Sequence, residues 1–395
     1  MTQPLRVFIL AGEPSGDKLG AALMAGLKSL RADVSFEGIG GPMMSAEGLR
    51  SLFDMTELSV MGIAEILPKY FHLKRRIAQT ADAVIAFQPD VLITIDSPDF
   101  SLRVAKIVKE RSRIRTVHYV APTVWAWRPK RAARMARHID QVLALLPFEP
   151  PYMRAHGMRC DFVGHPVVAE PIADKAAVRE FRTTHGIGDA PILMVLPGSR
   201  RSEVARLGEI FGAAMQEVLA RHRDLRIVVP AAAPVADAVH RLTAEWPGRP
   251  VVLDPHEADH ATGLAVKRAA FAAADFALAA SGTVSLELAA TDTPMVIAYD
   301  MSPISRFLIG RMLLVDTVTL VNLVSDTRTV PECLGKDCTP NNIANAMDAV
   351  IADPGTQRAA LELTMARLGQ GGEPPGLRAA RAVIDGLAAN QLAGV

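Results

Sequence analysis

Short aliphatic and β-branched runs return along this chain, and each hands over through a small-residue turn to a longer segment of helical period. Leu5 to Leu10, Val91 to Ile95, Thr116 to Val120 and Gln141 to Leu145 form a first set. Ile192 to Leu196, Arg226 to Val229, Val251 to Leu253, Phe276 to Ala279 and Met295 to Ala298 form a second. Strands that alternate with helices are joined by crossovers, so they pair in parallel and are covered on both faces. The expected fold is α/β, with two doubly wound domains facing a cleft and a C-terminal helical tail. The breaker-rich stretch Gly164-His165-Pro166 through Pro171 marks the boundary between the sets. This gives domains 1–166 and 167–340, with a tail 341–395 that packs back on the body or on the partner chain of a homodimer.

With 395 residues and 50% hydrophobic content the chain can bury large cores. Lys and Arg total 43 against 42 Asp and Glu, a net charge of +1, so no global field gathers nucleic acid. Cys160, Cys333 and Cys338 form no CxxC pair, which fits a reducing cytoplasm. The apolar run Val7 to Gly12 stops at Glu13, too short for a secretory signal. No stretch reaches the roughly 18 to 20 apolar residues of a spanning helix, so a soluble or peripheral protein is expected.

Ligands of doubly wound sheets bind beyond the carboxyl ends of the strands, so the chemistry is sought in the turns that follow them. After Ile192 to Leu196 comes Pro197-Gly198-Ser199-Arg200-Arg201-Ser202-Glu203. There Gly198 lets the backbone approach a ligand, the helix start offers free N–H groups, and Arg200 can bridge two phosphate oxygens. After Phe276 to Ala279 comes Ala280-Ser281-Gly282-Thr283, which opens a helix carrying Glu287. A carboxylate has two acceptor oxygens and can take both hydroxyls of a ribose, although one in a first helical turn also simply complements the dipole. Two such turns in one domain point to a nucleoside diphosphate.

In the first domain, Ala11-Gly12-Glu13-Pro14-Ser15-Gly16-Asp17 fits neither GxGxxG nor GxxxxGK[ST], which disfavours a nicotinamide cofactor or ATP. Gly38-Ile39-Gly40-Gly41-Pro42-Met43 reads as a glycine-rich loop after a further strand. Val91 to Ile95 delivers Asp96-Ser97-Pro98-Asp99 to its carboxyl end. We read Asp96 there as a general base and Asp99 as the cap of the next helix. His256-Glu257-Ala258-Asp259-His260 spells the zinc-peptidase pattern HExxH. Asp254-Pro255 before it and Thr262-Gly263 after it place the match at a loop or helix start, and no third ligand accompanies it. No metal or cofactor is expected.

Taken together these segments resemble the lipid-A-disaccharide synthases, a family of glycosyltransferases of the GT-B architecture, in which two Rossmann-like domains face a cleft. The resemblance rests on AGEPSGD (Ala11 to Asp17), GIGGPMM (Gly38 to Met44), VMGIAEIL (Val60 to Leu67), IDSPDFS (Ile95 to Ser101) and HYVAPTVWAWRPKR (His118 to Arg131). It continues in LPFE (Leu146 to Glu149), FVGHP (Phe162 to Pro166), LPGSRRSEV (Leu196 to Val204) and ASGTVSLE (Ala280 to Glu287). Ser101 stands where the family pattern suggests Asn, and Val321 where a Pro often precedes the Asn-Leu pair of TLVNLV.

The resemblance implies that UDP-2,3-diacylglucosamine and 2,3-diacylglucosamine 1-phosphate are joined by a β-1,6 bond with release of UDP, a step of lipid A biosynthesis on the inner face of the inner membrane. It places Gly198, Ser199, Arg200, Ser281, Gly282, Thr283, Glu287 and Asn322 around UDP. Ser15, Gly16, Asp17, Tyr119, Trp125 and Trp127 are expected on the acceptor side, the three rings alternatively forming an aromatic core edge near the cleft, and Asp96 is expected to act there as base with Glu13 as its competitor. Val60, Ile63, Leu67 and Tyr70, beside Lys69, Lys74, Arg75 and Arg76, suit an anionic membrane surface, although Pro68 should kink or divide that helix. Phe307, Leu308, Met312 and Leu313 repeat the pattern beside Arg306 and Arg311. Rival readings are another UDP-sugar enzyme, such as a 2-epimerase or a peptidoglycan glycosyltransferase, and a two-lobed binder without catalysis.

Overall fold

The computed structural model describes residues 4–58, 63–302, 306 and 310–393, with the backbone alone for 63–70 and 390–393. Two compact units form, Met1–Ala169 with Gly371–Val395, and Glu170–Gln370. Segment 341–395, read from the sequence as one tail, is thereby divided between them.

The first unit holds a six-stranded parallel sheet of β1 (Leu5–Ala11), β2 (Val34–Ile39), β3 (Val91–Ile95), β4 (Arg115–Tyr119), β5 (Gln141–Ala144) and β6 (Arg159–Phe162). Its spatial order is β2-β1-β3-β4-β5-β6. The second holds β7 (Ile192–Leu196), β8 (Arg226–Pro230), β9 (Val251–Leu253), β10 (Phe276–Ala279), β11 (Met295–Tyr299) and β12 (Glu332–Leu334), ordered β12-β11-β10-β7-β8-β9. The central strands β3 and β7 are buried along their whole length, which is why they read as unbroken apolar runs. Each buried Val, Leu or Ile contributes roughly 1.5–3 kcal/mol, and these strands are the floor on which the turns stand. The edge strands β6 and β12 have only four and three residues and mix polar with apolar positions, too short for a period to register.

The last helix, Pro375–Ala393, packs on Pro14–Leu30 and adds Ala379, Ala380 and Val383 to the first core. The side chain of Gln141 donates to the Ala382 carbonyl at 2.8 Å, and Arg378 donates to that of Phe162 at 3.0 Å. Helix Pro340–Ala352 instead contributes Ile343, Ala344 and Met347 to the second core. Helix Ile63–Phe87 is not divided at Pro68, which falls in its second turn and forfeits one bond near the helix end.

Candidate active site

In each sheet the strand order reverses once, and crevices beyond the carboxyl ends of doubly wound sheets form at that point. In the first unit the reversal lies between the paired neighbours β1 and β3, and in the second between β7 and β10. The turns carrying Glu13, Asp96, Arg200 and Ser281 leave from these four strands, and the glycine-rich loop leaves from β2 beside them.

At the first switch point the backbone of Asp96 and Ser97 is left-handed, with φ of 47° and 44°. The Asp96 N–H donates to the Tyr119 carbonyl at 3.0 Å, tying the end of β3 to the end of β4. Gly12, leaving β1, packs on this turn so closely that a Cβ would sit 2.6 Å from the Ser97 hydroxyl oxygen. Consecutive non-glycine residues in this region cost energy and persist where the surroundings enforce them. Burial pushes the Asp96 carboxyl above the usual carboxylate range, while the Ser97 N–H and the charge of Arg131 pull the other way. Such a carboxylate is a stronger base than one in water. The helix after it, Pro98–Arg111, has Ser97 at its cap position, so Asp99 lies in the first turn rather than at the cap expected for it.

Near this turn the His118 imidazole lies 2.7 Å from the Thr94 hydroxyl, and burial, aided by Arg131, brings its pKa down to about 4. It is therefore uncharged at pH 7, with an N–H on only one of its two ring nitrogens. Glu13 occupies the exposed cap position of helix Pro14–Leu30. Asp17 is 2% exposed, and its carboxylate accepts from the N–H groups of Gly41 at 2.8 Å and of Met43 and Met44 at 3.0 Å. It therefore shapes the glycine-rich loop from beneath. Gly16 is buried against Ala11, which leaves Ser15 as the exposed member of the trio placed on the acceptor side. The Tyr119 ring is wholly buried and Trp125 is buried too, while Trp127 is half-buried, donates to the Thr123 hydroxyl at 3.0 Å and stacks with Arg128. The open wall of this loop is thus Trp127.

At the second switch point Gly198 and Gly282 adopt φ of +116° and +131°, a region closed to other residues. Arg200 caps helix Arg201–Arg221 and its side chain is 66% exposed. Two of the N–H groups leading into that helix are already engaged. Glu203 Oε2 accepts from the N–H of Ser199 at 3.1 Å and of Arg200 at 3.3 Å, and its Oε1 accepts from the Arg200 guanidinium at 2.8 Å. The sequence does carry a sign of this, since a Glu three residues into a helix often reaches back to its cap. Tyr299, ending β11, hydrogen-bonds Glu203, and burial raises its phenol pKa with the Glu203 charge adding to it.

Beyond β10, Ser281, Gly282 and Thr283 are accessible and precede the seven-residue helix Val284–Ala290. Glu287 pairs through Oε2 with Lys267 at 2.6 Å, and Lys267 also lies over the Phe271 ring. Nothing in the sequence pattern joined Lys267 to this turn. Asn322 is buried and its amide is fully engaged, donating to Thr317 and the Val330 carbonyl and accepting from the Val330 N–H. It fastens the segment 317–330.

His256 lies before the helix that His260 begins, and it bonds Asp254 at 2.9 Å, while Asp259 caps the helix. Among the described residues no group of three His, Cys, Asp or Glu side chains is placed to hold a metal ion, and no helix is long and apolar enough to cross a membrane. Of the residues proposed for membrane contact, Val60, Phe307 and Leu308 lie outside the described residues, as do the side chains of Ile63, Leu67, Lys69 and Tyr70.

A family model described as lipid-A-disaccharide synthetase matches residues 7–370. A lipid-A-disaccharide synthase of Ruegeria pomeroyi is 65% identical over 383 residues, covering 97% of this chain and 96% of that protein. One of Rhodospirillum centenum is 47% identical over 389 residues, covering 97% and 95%. Among solved structures, UDP-GlcNAc 2-epimerase from Neisseria meningitidis bound to UDP-GlcNAc aligns with a TM-score of 0.64 at 13% identity, over 98% of this chain and 100% of that one. A Methanocaldococcus jannaschii UDP-GlcNAc 2-epimerase with UDP-GlcNAc and UDP aligns at 0.58 and 11% identity, over 96% and 99%. At such identities these two structures speak to the fold.

Proposed function

The chain belongs to the lipid-A-disaccharide synthase family, glycosyltransferases of lipid A biosynthesis, and on that premise we propose how its two units divide the reaction. The second unit holds the UDP of UDP-2,3-diacylglucosamine, with the diphosphate at Gly198–Arg200 and Ser281–Thr283 and the ribose at the Glu287 oxygen that Lys267 leaves open. The first unit receives 2,3-diacylglucosamine 1-phosphate near Ser15 and Trp127. UDP leaves from the α face of its sugar, so a β bond follows from a single displacement by the acceptor hydroxyl on the opposite face. As the new C–O bond forms, the bond from the anomeric carbon to the diphosphate oxygen breaks and its electron pair departs with UDP. Asp96 takes the hydroxyl proton, and Arg200 balances the departing charge.

The observation that carries this reading is the placement of Asp96, half-buried on a left-handed turn at the switch point of the first sheet. The direct test incubates the protein with both acylated sugars and follows disaccharide and UDP by mass spectrometry. Absence of disaccharide from folded, UDP-binding protein would overturn it.

We also infer contact with an anionic membrane surface, since both substrates are diacylated. Phe71 is 80% exposed beside the exposed Lys74 and Arg75, and in the second unit Met312 and Leu314 are exposed beside Arg311. Apolar side chains edged by cations suit a headgroup layer, with each cation worth roughly 1 kcal/mol near an anionic surface. Replacing Lys74 and Arg75 by Glu should weaken binding to phosphatidylglycerol vesicles at least tenfold at low salt, and unchanged binding in a vesicle-sedimentation assay would dismiss this face.

A further inference from the structure

Glu149 is 3% exposed, yet it is a carboxyl group, and among the described residues it forms no ion pair. Its partners are N–H donors. Oε2 accepts from the Leu146 N–H at 3.0 Å, and Oε1 accepts from the Trp125 indole at 3.3 Å. The charged and titratable groups around it are the Cys160 thiol, with Arg154 and Asp161 acting on that same thiol. Burial pushes the Glu149 pKa up to about 7, against the pull of the Leu146, Trp125 and Leu145 donors. For stability alone an apolar residue serves such a site as well or better. The carboxyl therefore calls for a role in what it holds.

What it holds is a loop. Trp125 lies in segment 120–129 beyond β4, and Glu149 lies beyond β5, so the bond ties two neighbouring strand ends across 24 residues. Trp125, 7% exposed, also meets Phe148 edge-on with ring centres 5.1 Å apart. The loop needs tethering because it starts from Val120 at φ 81°, which a β-branched residue resists, and it passes Arg128 at φ 51°. It then enters helix Lys130–Met135, whose second residue, Arg131, acts electrostatically on both Asp96 and His118.

We propose that Trp125 and Glu149 are a buried pair of positioning residues, which fix the loop beyond β4 and thereby hold the start of helix Lys130–Met135, with Arg131, within electrostatic reach of the Asp96 carboxyl. The inference rests on the reading of Asp96 as the base. It assigns neither residue to contact with substrate.

Trp125→Phe keeps a ring in the core and deletes the N–H. With Arg131 released, the acid limb of the kcat–pH profile should move to higher pH by at least about half a unit, because a nearby cation favours the ionised carboxylate. KM for the UDP-sugar should stay within about twofold. Arg131→Gln should give the same direction of shift, and the double variant should shift no further than Arg131→Gln alone. A Trp125→Phe shift that adds in full to that of Arg131→Gln would overturn the proposal, as would no shift in a folded, active variant. Glu149→Gln, which can accept one of the two bonds, serves as the second variant and should shift the limb in the same direction by less. A readout that does not depend on the chemistry comes from the Asp96 carboxyl itself, titrated by carbon NMR in aspartate-labelled protein and identified by its loss in Asp96→Asn. Should that titration move in Trp125→Phe while Asp96→Asn keeps its turnover, the positioning pair stands and the base assignment falls. Should it not move, the pair is a core anchor and nothing more.

Discussion

The turns that leave the two sheets meet solvent differently, although both sheets are parallel and both reverse order once. In β4 and beyond β3 and β5 the ionisable groups are buried or half-buried and each is held by its own uncharged partners, Asp96 by the Tyr119 carbonyl, His118 by the Thr94 hydroxyl and Glu149 by the Leu146 N–H and Trp125 indole. Beyond β7 and β10 they form ion pairs that reach solvent, through Arg200 in its pair with the largely buried Glu203 and through both partners in Lys267 with Glu287. Desolvation tunes proton affinity, whereas a cation that reaches solvent exchanges partners more readily, an exposed pair such as Lys267 with Glu287 being worth about 0–1 kcal/mol. The first arrangement suits chemistry on a hydroxyl. The second suits a charged leaving group that must bind and depart.

The sharpest way to break this division is Asp96→Asn. Positioned bases contribute roughly a hundredfold to ten-thousandfold, so turnover should fall at least about a hundredfold while UDP affinity by calorimetry stays unchanged. If Asp96→Asn kept near-normal turnover and Glu13→Gln abolished it, the base would move one strand over within the same sheet. If UDP binding were lost, chemistry and nucleotide would not be divided between the units.

Acid should separate the units next. His118 and His165 are buried with pKa values lowered to about 4 from 6.5, so the folded first unit binds fewer protons than its unfolded chain in that window. Their stabilisation is full above pH 6.5 and is lost as the pH falls towards 4, by up to about 3 kcal/mol each. Glu149, raised to about 7 from 4.5, acts in the opposite sense, its contribution present below 4.5 and lost as the pH rises to 7. Asp96, also raised by burial, acts with Glu149, and the two histidines, joined by the lowered His138, set the sign. Hydrogen-exchange protection in the first core, corrected for intrinsic rates, should drop about a hundredfold between pH 6.5 and 4.5 relative to the second core. Parallel loss in both units would show that buried titration does not distinguish them.

In the second unit the comparison predicts affinity effects. Glu287→Gln removes one charge-assisted acceptor and its pair with Lys267, and should weaken UDP about tenfold, leaving the melting temperature within a degree or two. Affinity lost equally for 2′-deoxy-UDP would argue against ribose contact at Glu287.

How much of this was legible in the sequence follows from range of contact. Strand cores, Gly198, Gly282 and the position of Asp96 could be read because a run of apolar residues and the turn after it are local. The engagement of the Ser199 and Arg200 N–H groups could also have been read, since Glu203 lies three residues on. Asp17 beneath Met43, Trp125 against Glu149 and Lys267 on Glu287 are joined over 20 or more residues. The resemblance set Asp17, Trp125 and Asn322 near the site without saying that their side chains are buried, because burial depends on these distant partners. The split of segment 341–395 escaped notice for a related reason, since alanine-rich helices carry no mark of which core they join.

The smallest expected effect concerns Glu203, where the second site is prepared only in part. Its carboxylate accepts from the Ser199 and Arg200 N–H groups, where the proposed diphosphate site lies, and pairs with the Arg200 guanidinium. A phosphate at that turn therefore competes with an internal anion before it gains the N–H donors and Arg200. Glu203→Gln removes the charge while keeping an acceptor for the helix start, so it should strengthen UDP about threefold by calorimetry and cost the helix no more than about 1 kcal/mol. The gain should shrink as salt screens the exposed Arg200. If Glu203→Gln weakened UDP instead, the carboxylate would be what aims Arg200 at the ligand, and the exposed pairs of the second unit would be as fixed in purpose as the buried groups of the first.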